Sequence, residues 1–482
     1  MEADAELKQG PFAMSPPMRQ DARNNPDGHP LDLPATAMAR GIRSGRFSAQ
    51  EVVAESLRRA EALTGPLNPF TLIRKAQALD TARRADQAVA RGEATGPLHG
   101  VPFAVKDLTP TAGDTTTLGS WAMQDWKPDE TALCVRRLQD AGAIMIGKTT
   151  TPEFAHSGFT ASPRWGVTRN PWDPTRTSGG SSGGSVRIPA ALCGTVGLKP
   201  SLGRIPMTIL PSVFDNISHF GPLARSVEDA IAFMEAAAGP SDADISSLPL
   251  RFSGDAARGG RLEGRRFALS IDLGYYAVQS EVEATVREAV RDLRQAGAQV
   301  DEVAIPWTRA VNDRWFDVWC VFMSAYFGDH LAQHRATMDP AVVSMMERGF
   351  TIDATRYKRI EIFRTALWRD LATLFKTYDA LLCPTCAVTA PLASETDDDY
   401  MATMPDGRFR GLDMTCPFNL LPQCPALSLP IGLASNGLPV GLQIVGHRFA
   451  DEDVLGIATA FETALATTER LARPPLWYPR HG

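Results

Sequence analysis

Two segments of the sequence follow the same order of a helix, a glycine stop and a strand. TALCVRRLQDAGAIMIG (131–147) and ATVREAVRDLRQAGAQVDEVAI (284–305) each contain an amphipathic stretch that ends at Ala-Gly-Ala and continues into an apolar or alternating run. Gly142 and Gly297 fit the left-handed position that closes a helix. Helix–strand units of this kind predict an α/β layered fold with buried strands.

Other segments predict further helices and strands along the chain. Ser48-Ala-Gln-Glu51 has the form of a capping box and precedes an apolar stripe, so we expect a helix to begin there. GPLHGVPFAVKD (96–107) predicts a turn and then a short buried strand, Val101 to Val105, that ends at Lys106 and Asp107. Three more strands are predicted at ALLCPT, PALSLPIGL and GLPVGLQIVGH, which begin at residues 380, 425 and 437.

The distribution of turn-forming residues indicates how the chain is divided. Residues 1–30 mix Pro, Asn, Asp and Met without periodicity, which predicts a flexible N-terminal arm. No Ser/Gly linker is long enough to split the rest, so residues 31–482 are predicted to form one large domain. The acidic, then Gly- and Pro-containing segment from Glu395 to Gly411 is predicted to be a surface loop.

Composition excludes several classes of function. A net charge of −6 gives no electrostatic reason to expect nucleic acid, and no apolar run is long enough to span a bilayer. The N-terminus lacks a signal pattern, so the cytoplasm is the expected compartment. Seven scattered cysteines do not form a disulfide framework, and Cys383-Pro-Thr-Cys386 lacks a second ligand pair, which favours two ordinary half-buried cysteines. The eight histidines are dispersed, and no metal is expected.

One stretch imitates a nucleotide-binding loop. Gly142-Ala-Ile-Met-Ile-Gly147-Lys148-Thr149 matches the pattern G-x-x-x-x-G-K-[ST]. Its interior residues are typical of a strand core rather than of a loop, and Pro152 is a poor start for the long helix that such a loop opens. We therefore reject nucleotide binding.

The stretch RTSGGSSGGSVRIPA (176–190) admits three interpretations: a linker, a cradle for phosphate, or the position of a nucleophilic serine. Its flanks are apolar and punctuated by proline, which places the glycines inside a packed body. Clustered glycines let backbone N–H groups converge on an anion or a developing oxyanion. No GxSxG motif and no local base are present. Lys106, if desolvated at the end of its strand, is a candidate base; otherwise it is a solvated lysine.

Six segments, taken in this order, resemble the amidase signature family: GVPFAVKD, GKTTTPEFA, TRNPWDPTRTSGGSSGG, SVRIPAALCGTVGLKPSLGRIP, GPLARSVEDA and GLPVGLQIVGHRF. The resemblance extends from about the first helix to about residue 465. It implies a single large α/β domain with a mixed β-sheet covered by helices on both sides. It also implies an amidase that uses no cofactor and no metal.

The resemblance assigns a role to each residue of a Ser–cis-Ser–Lys triad. Lys106 corresponds to the neutral lysine base, Ser181 to the bridging serine held by a cis peptide, and Ser185 to the nucleophile. The resemblance also implies that the oxyanion is bound by backbone N–H groups. The residues that would supply them, here called the oxyanion loop, are Ser182, Gly183 and Gly184.

The sequence departs from the family at this site. In the family, GGSSGG and GGS-[I/V]-R-x-P are separate motifs, whereas SGGSSGGSVRIP uses one Gly-Gly for both. Roughly twenty residues are absent, enough for a crossover, and their loss would delete a helix and a central strand. An aspartate that precedes the second Gly-Gly is also absent, so we expect Arg187 to lack its partner. Either the sequence omits a segment that the protein contains, which the intact flanking motifs favour, or the protein is a catalytically impaired amidase-fold binding protein.

The substrate is less constrained than the reaction. Arg187-Ile-Pro, in place of Arg-Gln-Pro, favours a stand-alone hydrolase over an amidotransferase-type subunit. Trp315, Trp319, Phe322 and Tyr326 lie at helical spacing, which is typical of core packing and, in a second interpretation, of a pocket wall. The prediction is a small amide with a hydrophobic aryl or acyl group, and the resemblance suggests a homodimer.

Overall fold

The computed structural model describes residues 29–180 and 186–465, and these ranges contain fourteen α-helices and fourteen strands. The helices are α1 (Ala35–Arg43), α2 (Ala49–Leu67), α3 (Lys75–Ala90), α4 (Leu133–Asp140), α5 (Arg187–Cys193), α6 (Val227–Ala237), α7 (Gly254–Arg258), α8 (Ser280–Gln295), α9 (Ala310–Phe327), α10 (Leu331–His334), α11 (Pro340–Phe350), α12 (Ala354–Leu374), α13 (Cys416–Asn419) and α14 (Asp451–Leu465). The strands are β1 (Phe70–Ile73), β2 (Pro102–Lys106), β3 (Ile144–Thr149), β4 (Ala161–Ser162), β5 (Gly166–Val167), β6 (Val196–Lys199), β7 (Leu223–Ala224), β8 (Arg266–Leu269), β9 (Gln299–Glu302), β10 (Ala380–Pro384), β11 (Ala402–Thr403), β12 (Phe409–Arg410), β13 (Ala426–Leu433) and β14 (Pro439–Gly446).

The predicted helix signals are confirmed. α2 begins with a capping box: the Glu51 N–H donates to Ser48 Oγ over 3.1 Å, and the Ser48 N–H donates to the Glu51 carboxylate over 2.7 Å. Both helix–strand units form as predicted, α4 to β3 and α8 to β9. Gly142 and Gly297 have φ angles of 93° and 99°, and this left-handed conformation strains any residue with a Cβ atom.

The larger sheet has seven strands in the order β7-β6-β13-β14-β10-β8-β9. The pairs from β7 to β10 are antiparallel, and the β10–β8 and β8–β9 pairs are parallel, so the sheet is mixed. The three strands predicted between residues 380 and 447 are all present, and they occupy the middle of this sheet. A central position explains why these segments are apolar along almost their whole length.

Helices cover both faces of the seven-stranded sheet. Alternate side chains of a strand point to opposite faces. Leu382 and Ile444 join a cluster with residues of α6, α8 and α14, whereas the adjacent Leu381 and Val445 join a cluster with residues of α9, α11 and α12. The predicted fold class, a mixed sheet between two helical layers, is therefore confirmed.

A separate three-stranded sheet has the order β1-β3-β2 and packs against α1, α2 and α3. Val101–Val105 was predicted to form a short buried strand; the strand is present, but its burial is wrong in part, because Ala104 in the middle of β2 is exposed. The physical reason is that β2 pairs only with β3 among the described strands, so its other edge is open. Val105 still joins the core that contains Leu198 of β6.

Two further predictions concern the periphery of the fold. The acidic segment after Glu395 forms a surface loop with the short hairpin β11–β12, as predicted, anchored by the buried rings of Tyr400 and Phe409. Of the predicted N-terminal arm, residues 1–28 lie outside the described residues. None of the helices in 29–180 and 186–465 has both the length and the apolar character needed to cross a membrane.

Candidate active site

Lys106 is the last residue of β2, where its backbone lies opposite Thr149 of β3. The side chain is half-buried, and burial lowers the pKa of its ammonium group from 10.5 to about 7. No carboxylate of residues 29–180 or 186–465 lies within ion-pair distance of its Nζ. A lysine with this pKa is partly neutral at pH 7, which favours the interpretation as a base over that of a solvated strand end.

Lys199, at the end of β6, shows that a lowered pKa does not by itself identify a base. Burial lowers its pKa to about 7 as well. Its Nζ, however, donates to three backbone carbonyls: Cys424 at 2.8 Å, Pro200 at 3.2 Å and Pro422 at 3.3 Å. Lys199 therefore has a structural role: it links the segment after β6 to the segment before β13. Lys106 has no such acceptor in the part of the chain that the structure describes, so its amine is available.

A buried ion pair lies beside Lys106. The Asp107 carboxylate accepts hydrogen bonds from the Thr117 N–H and, over 2.5 Å, from the Thr117 hydroxyl. Lys148 Nζ lies 3.5 Å from Asp107 Oδ1 and donates to Thr109 O over 3.0 Å, and both charged side chains are fully buried. Asp107 follows Lys106 directly in sequence, but its carboxylate is bound to Thr117 and Lys148 and forms no ion pair with Lys106.

Sequence reasoning missed this role of Lys148. The residue belongs to the stretch that imitates a nucleotide-binding loop, and the rejection of that loop is correct, because residues 144–149 form β3. One sequence signal was available: a lysine in an otherwise apolar strand must be buried, and a buried lysine needs a partner. The sequence does not identify which acidic residue reaches it.

Replacing Lys148 by methionine is expected to reduce the free energy of unfolding by about 3–5 kcal/mol, because Asp107 is left buried without a counter-charge. The matched control is Lys75→Met, whose ion pair with Glu61 is exposed and is expected to be worth less than about 1 kcal/mol. Adding Asp107→Asn to Lys148→Met should recover part of the loss. Urea unfolding of the four proteins measures this, and equal losses in the two lysine variants would contradict the buried-pair argument.

The glycines at the start of the Gly/Ser stretch are required by close packing. Gly179 has a φ of 81°, and its carbonyl accepts a hydrogen bond from the Thr160 hydroxyl over 2.5 Å. A Cβ atom on Gly180 would lie 2.5 Å from the carbonyl oxygen of Ser157 and 2.7 Å from the backbone nitrogen of Phe159. The prediction that this stretch lies inside a packed body, and is not a linker, is confirmed for residues 176–180.

Hydrogen bonds link the start of this stretch to the strand end that carries Lys106. Thr149 lies opposite Lys106, and the next residue, Thr150, shares a 2.6 Å hydroxyl hydrogen bond with Thr168. The carbonyl of Thr168 accepts from the Ser178 N–H at 3.5 Å. The chain therefore approaches Gly180 beside the end of the β2–β3 pair.

Between Gly180 and Val186 lie the residues predicted to act in catalysis, and the structure does not describe them. Ser181 and Ser185, and the oxyanion loop of Ser182, Gly183 and Gly184, all lie outside the described residues. Val186, the first described residue after them, directly precedes α5. Of the predicted site residues, the structure thus places only Lys106, together with the two ends of the segment that carries the others.

Arg187 opens α5 and is fully buried. Its guanidinium donates to Gln443 Oε1 over 2.6 Å and to Asn419 Oδ1 over 2.5 Å. Its Nε has no hydrogen-bond partner, and no carboxylate of the described residues forms an ion pair with it. Burial lowers the pKa of Arg187 to about 10. The charge of the Asp413 carboxylate nevertheless acts on Arg187 and partly offsets the effect of burial on its pKa, so the expectation that Arg187 lacks an acidic partner stays a prediction.

The aromatic stripe of α9 is mainly part of the core. Trp315 and Trp319 are buried and stack with ring centroids 6.0 Å apart. Phe322 stacks on Trp319 at 4.6 Å and meets the ring of Tyr326 edge-on at 4.4 Å, and these last two rings are only half-buried. The core interpretation therefore fits the first half of the stripe, and the second half presents an aromatic surface.

The cysteine pair has no sign of nucleophilic chemistry. Cys383 and Cys386 are both free and buried, more deeply than predicted. Burial raises the pKa of Cys383 to about 12, so its thiol stays protonated at neutral pH. Among the described residues, no group of three His, Cys, Asp or Glu side chains is arranged to hold a metal ion.

The described geometry combines a mixed α/β sheet, an available lysine of lowered pKa and a fixed glycine-rich stretch beside it. These are the features that a lysine-dependent serine hydrolase requires. A family model described as Amidase matches residues 51–185 and 183–455. The chain therefore belongs to the amidase family, and its reaction is the hydrolysis of an amide.

Individual relatives agree with this assignment. An acylamidase from Rhodococcus erythropolis is 34% identical over 453 aligned residues, which cover 89% of this chain and 95% of that protein. A glutamyl-tRNA(Gln) amidotransferase subunit from Moorella thermoacetica is 33% identical over 476 residues, covering 89% of this chain and 96% of that protein. The crystal structure of a bacterial aryl acylamidase of the amidase signature family superimposes with a TM-score of 0.83 at 26% identity, covering 91% of this chain and 98% of that one.

The comparison also locates the departure from the family. Residues 183–185 are matched twice, as the end of the first part of the family model and as the start of the second. This agrees with the prediction that one Gly-Gly serves two motifs.

Proposed function

We propose that the protein hydrolyses its amide through an acyl-enzyme on Ser185, with Lys106 as the base and Ser181 as the bridge between them. The observation that carries this proposal is the position of Lys106. It is an amine with a pKa of about 7 and no carboxylate partner among the described residues, at the strand end beside the Gly/Ser stretch. Neutral Lys106 accepts a proton without first losing one, which is what a base for a serine hydroxyl needs.

In the first half of the reaction, Ser185 Oγ attacks the amide carbon, and its proton passes through the Ser181 hydroxyl to Lys106 Nζ. The C–N bond then breaks, and the Lys106 ammonium returns the proton to the departing amine. In the second half, a water molecule attacks the ester carbon after giving a proton to Lys106. Ser185 leaves with that proton, and the carboxylic acid is released.

Both halves of the reaction place negative charge on the former carbonyl oxygen. The N–H groups of the oxyanion loop, residues 182–184, are proposed to stabilise this charge. Two glycines among three residues let successive N–H groups point at one place, which supports this role.

The substrate is proposed to be an amide with a hydrophobic aryl or acyl group. Two observations support this: the half-buried aromatic surface of Phe322 and Tyr326, and the similarity to an acylamidase and to an aryl acylamidase. Phe327, the last residue of α9, stacks on Phe154 with centroids 4.2 Å apart and extends the aromatic surface. A homodimer is proposed only on the family resemblance.

The test is the release of 4-nitroaniline from 4-nitroanilides of acids of increasing chain length, followed by labelling with a fluorophosphonate. Release should rise with the length of the acyl chain, and the label should map by mass spectrometry to the tryptic peptide that contains Ser185. An amidotransferase-type subunit would instead release ammonia from glutamine and leave the anilides intact. Absence of both release and labelling would refute the proposed mechanism.

A second candidate is the amidase-fold binding protein without turnover. Three observations favour it: the open edge of β2, the buried Arg187 with no described carboxylate within ion-pair distance, and the doubly matched residues 183–185. It predicts that the protein binds anilides, releases no aniline and resists the fluorophosphonate. The nitroanilide assay therefore separates the two candidates directly.

The intact mass of the purified protein tests why the motifs are fused. A segment of about twenty residues, the length of a crossover, adds about 2 kDa to the 52.2 kDa of this chain. Because the flanking motifs are intact, we expect the larger mass together with turnover. A mass of 52.2 kDa without turnover would support the binding protein.

A further inference from the structure

An arginine in the turn between β4 and β5 contacts two tryptophan rings and has no acidic partner among residues 29–180 and 186–465. The guanidinium carbon of Arg164 lies 4.6 Å from the ring centroid of Trp121 and 5.0 Å from that of Trp165. Cation–π contacts of this kind fix the guanidinium in place and leave its charge unneutralised. Trp121 is 40% exposed, so the cluster faces solvent on one side.

The hydrogen bonding of Arg164 is incomplete. Its Nε and Nη1 are enclosed and have no acceptor, whereas its Nη2 is not enclosed. No carboxylate of the described residues lies within 4.0 Å of it, although most other buried or half-buried arginines, such as Arg204 and Arg265, pair with aspartates. A ligand cannot reach the two enclosed donors, so Nη2 is the donor of Arg164 through which an anion can bind.

Hydrogen bonds connect the hairpin that carries Arg164 and Trp165 to two parts of the candidate site: the Gly/Ser stretch and the strand end at Lys106. Arg164 lies in the turn between β4 and β5, and the chain enters this hairpin from Thr160, whose hydroxyl donates to Gly179 at the start of the Gly/Ser stretch. At the tip of the hairpin, Trp165 Nε1 donates to Thr117 Oγ1 over 2.9 Å. Thr117 in turn donates to Asp107, the residue after Lys106.

We propose that Arg164, presented by Trp121 and Trp165, binds a carboxylate group of the substrate, so that the site takes amides with an anionic group as well as a hydrophobic one. This inference rests on the proposed function, because it assigns a substrate class to that same site. The guanidinium offers a carboxylate its positive charge and the N–H donors of Nη2, and the two indole rings cover one side of the contact. Arg164 is thus a specificity residue for the reaction.

The test compares two anilides of nearly equal shape. In the 4-nitroanilide of succinic acid the acyl chain ends in a carboxylate, and in the 4-nitroanilide of 4-methylpentanoic acid it ends in an isopropyl group. In Arg164→Met, the ratio of kcat/KM for the succinyl substrate to that for the neutral substrate should fall by about 10- to 100-fold, mainly through KM. Arg164→Lys, which keeps the charge, should restore part of the ratio.

Arg169→Met is the matched control, because Arg169 is exposed and donates only to the carbonyl of Pro174. It should keep the wild-type ratio. An unchanged ratio in Arg164→Met would overturn the inference while leaving the proposed function intact. If the wild type hydrolyses neither anilide, the proposed function fails. Binding of the succinyl anilide, measured by the quenching of tryptophan fluorescence, then tests the role of Arg164 separately. Arg164→Met must then weaken that binding by a similar factor.

Discussion

Ser185→Ala is expected to reduce kcat for anilide hydrolysis by on the order of 10⁴- to 10⁶-fold, the largest effect of any single substitution in this protein. Alanine has no hydroxyl to attack the carbonyl, so no acyl-enzyme forms and fluorophosphonate labelling is lost. Substrate binding should persist, because the hydroxyl contributes little to ground-state affinity. A single-turnover assay with excess enzyme measures the loss without interference from contaminating hydrolases.

Ser178 supplies the matched control in the same stretch. Its side chain is half-buried, and its hydroxyl donates only to backbone carbonyls, those of Thr168 and Gly179, at 3.5 and 3.3 Å. Ser178→Ala should therefore retain labelling and stay within about tenfold of the wild-type kcat. Loss of labelling in Ser178→Ala but not in Ser185→Ala would show that the nucleophile is Ser178 and not Ser185.

Ser181→Ala tests the fused motif. Ser181 and Ser185 are four residues apart in this sequence. If Ser181 relays the proton, its removal should lower kcat by about 10²- to 10⁴-fold and leave slow labelling of Ser185. If Ser181→Ala behaves like wild type, Ser185 passes its proton to Lys106 by another route.

Local signals in the sequence predict most of the architecture. The capping box at Ser48, the glycine stops at Gly142 and Gly297, and the apolar runs of β10, β13 and β14 depend on residues that are neighbours along the chain. Their outcome is decided by backbone sterics and by the alternation of side chains, which hold in any context. The position of Lys106 at a strand end follows from the same signals.

Features that depend on distant residues could not be predicted in this way. Ala104 was expected to be buried because its strand is apolar, but burial requires a neighbouring strand, and pairing partners are not encoded locally. The same holds for the Asp107–Lys148 pair, whose members are 41 positions apart, and for the stacking of Arg164 on Trp121. Each depends on which loops the fold brings together.

Lys106→Met is expected to lower kcat/KM by about 10²- to 10⁴-fold, the contribution typical of a positioned base. Methionine preserves the length and apolar stem of the side chain, so the loss measures the amine itself. In the wild type, kcat/KM should rise about tenfold per pH unit up to a pH of about 7 and then level off, because only the neutral amine accepts the proton of the serine. This rising limb should be absent in Lys106→Met.

Lys199→Met is the control for the pH profile. Its pKa is also about 7, but its Nζ is bound to three carbonyl oxygens and not available as a base. The variant should lose stability and keep the rising limb. A limb that disappears in Lys199→Met and survives in Lys106→Met would reverse the two assignments.

Stability distinguishes loss of a base from loss of structure in Lys106→Met. The folded state holds the pKa of Lys106 near 7, below its value of 10.5 in an unfolded chain, so the unfolded state binds more protons between these pH values. Lys106 therefore destabilises the wild type progressively as pH falls from about 10.5 to about 7, and by a constant amount below. Lys106→Met should be the more stable protein by a margin that widens over the same range. An inactive variant that is more stable than the wild type at pH 7 has lost a catalytic amine, since damage to the fold would lower its unfolding midpoint in urea.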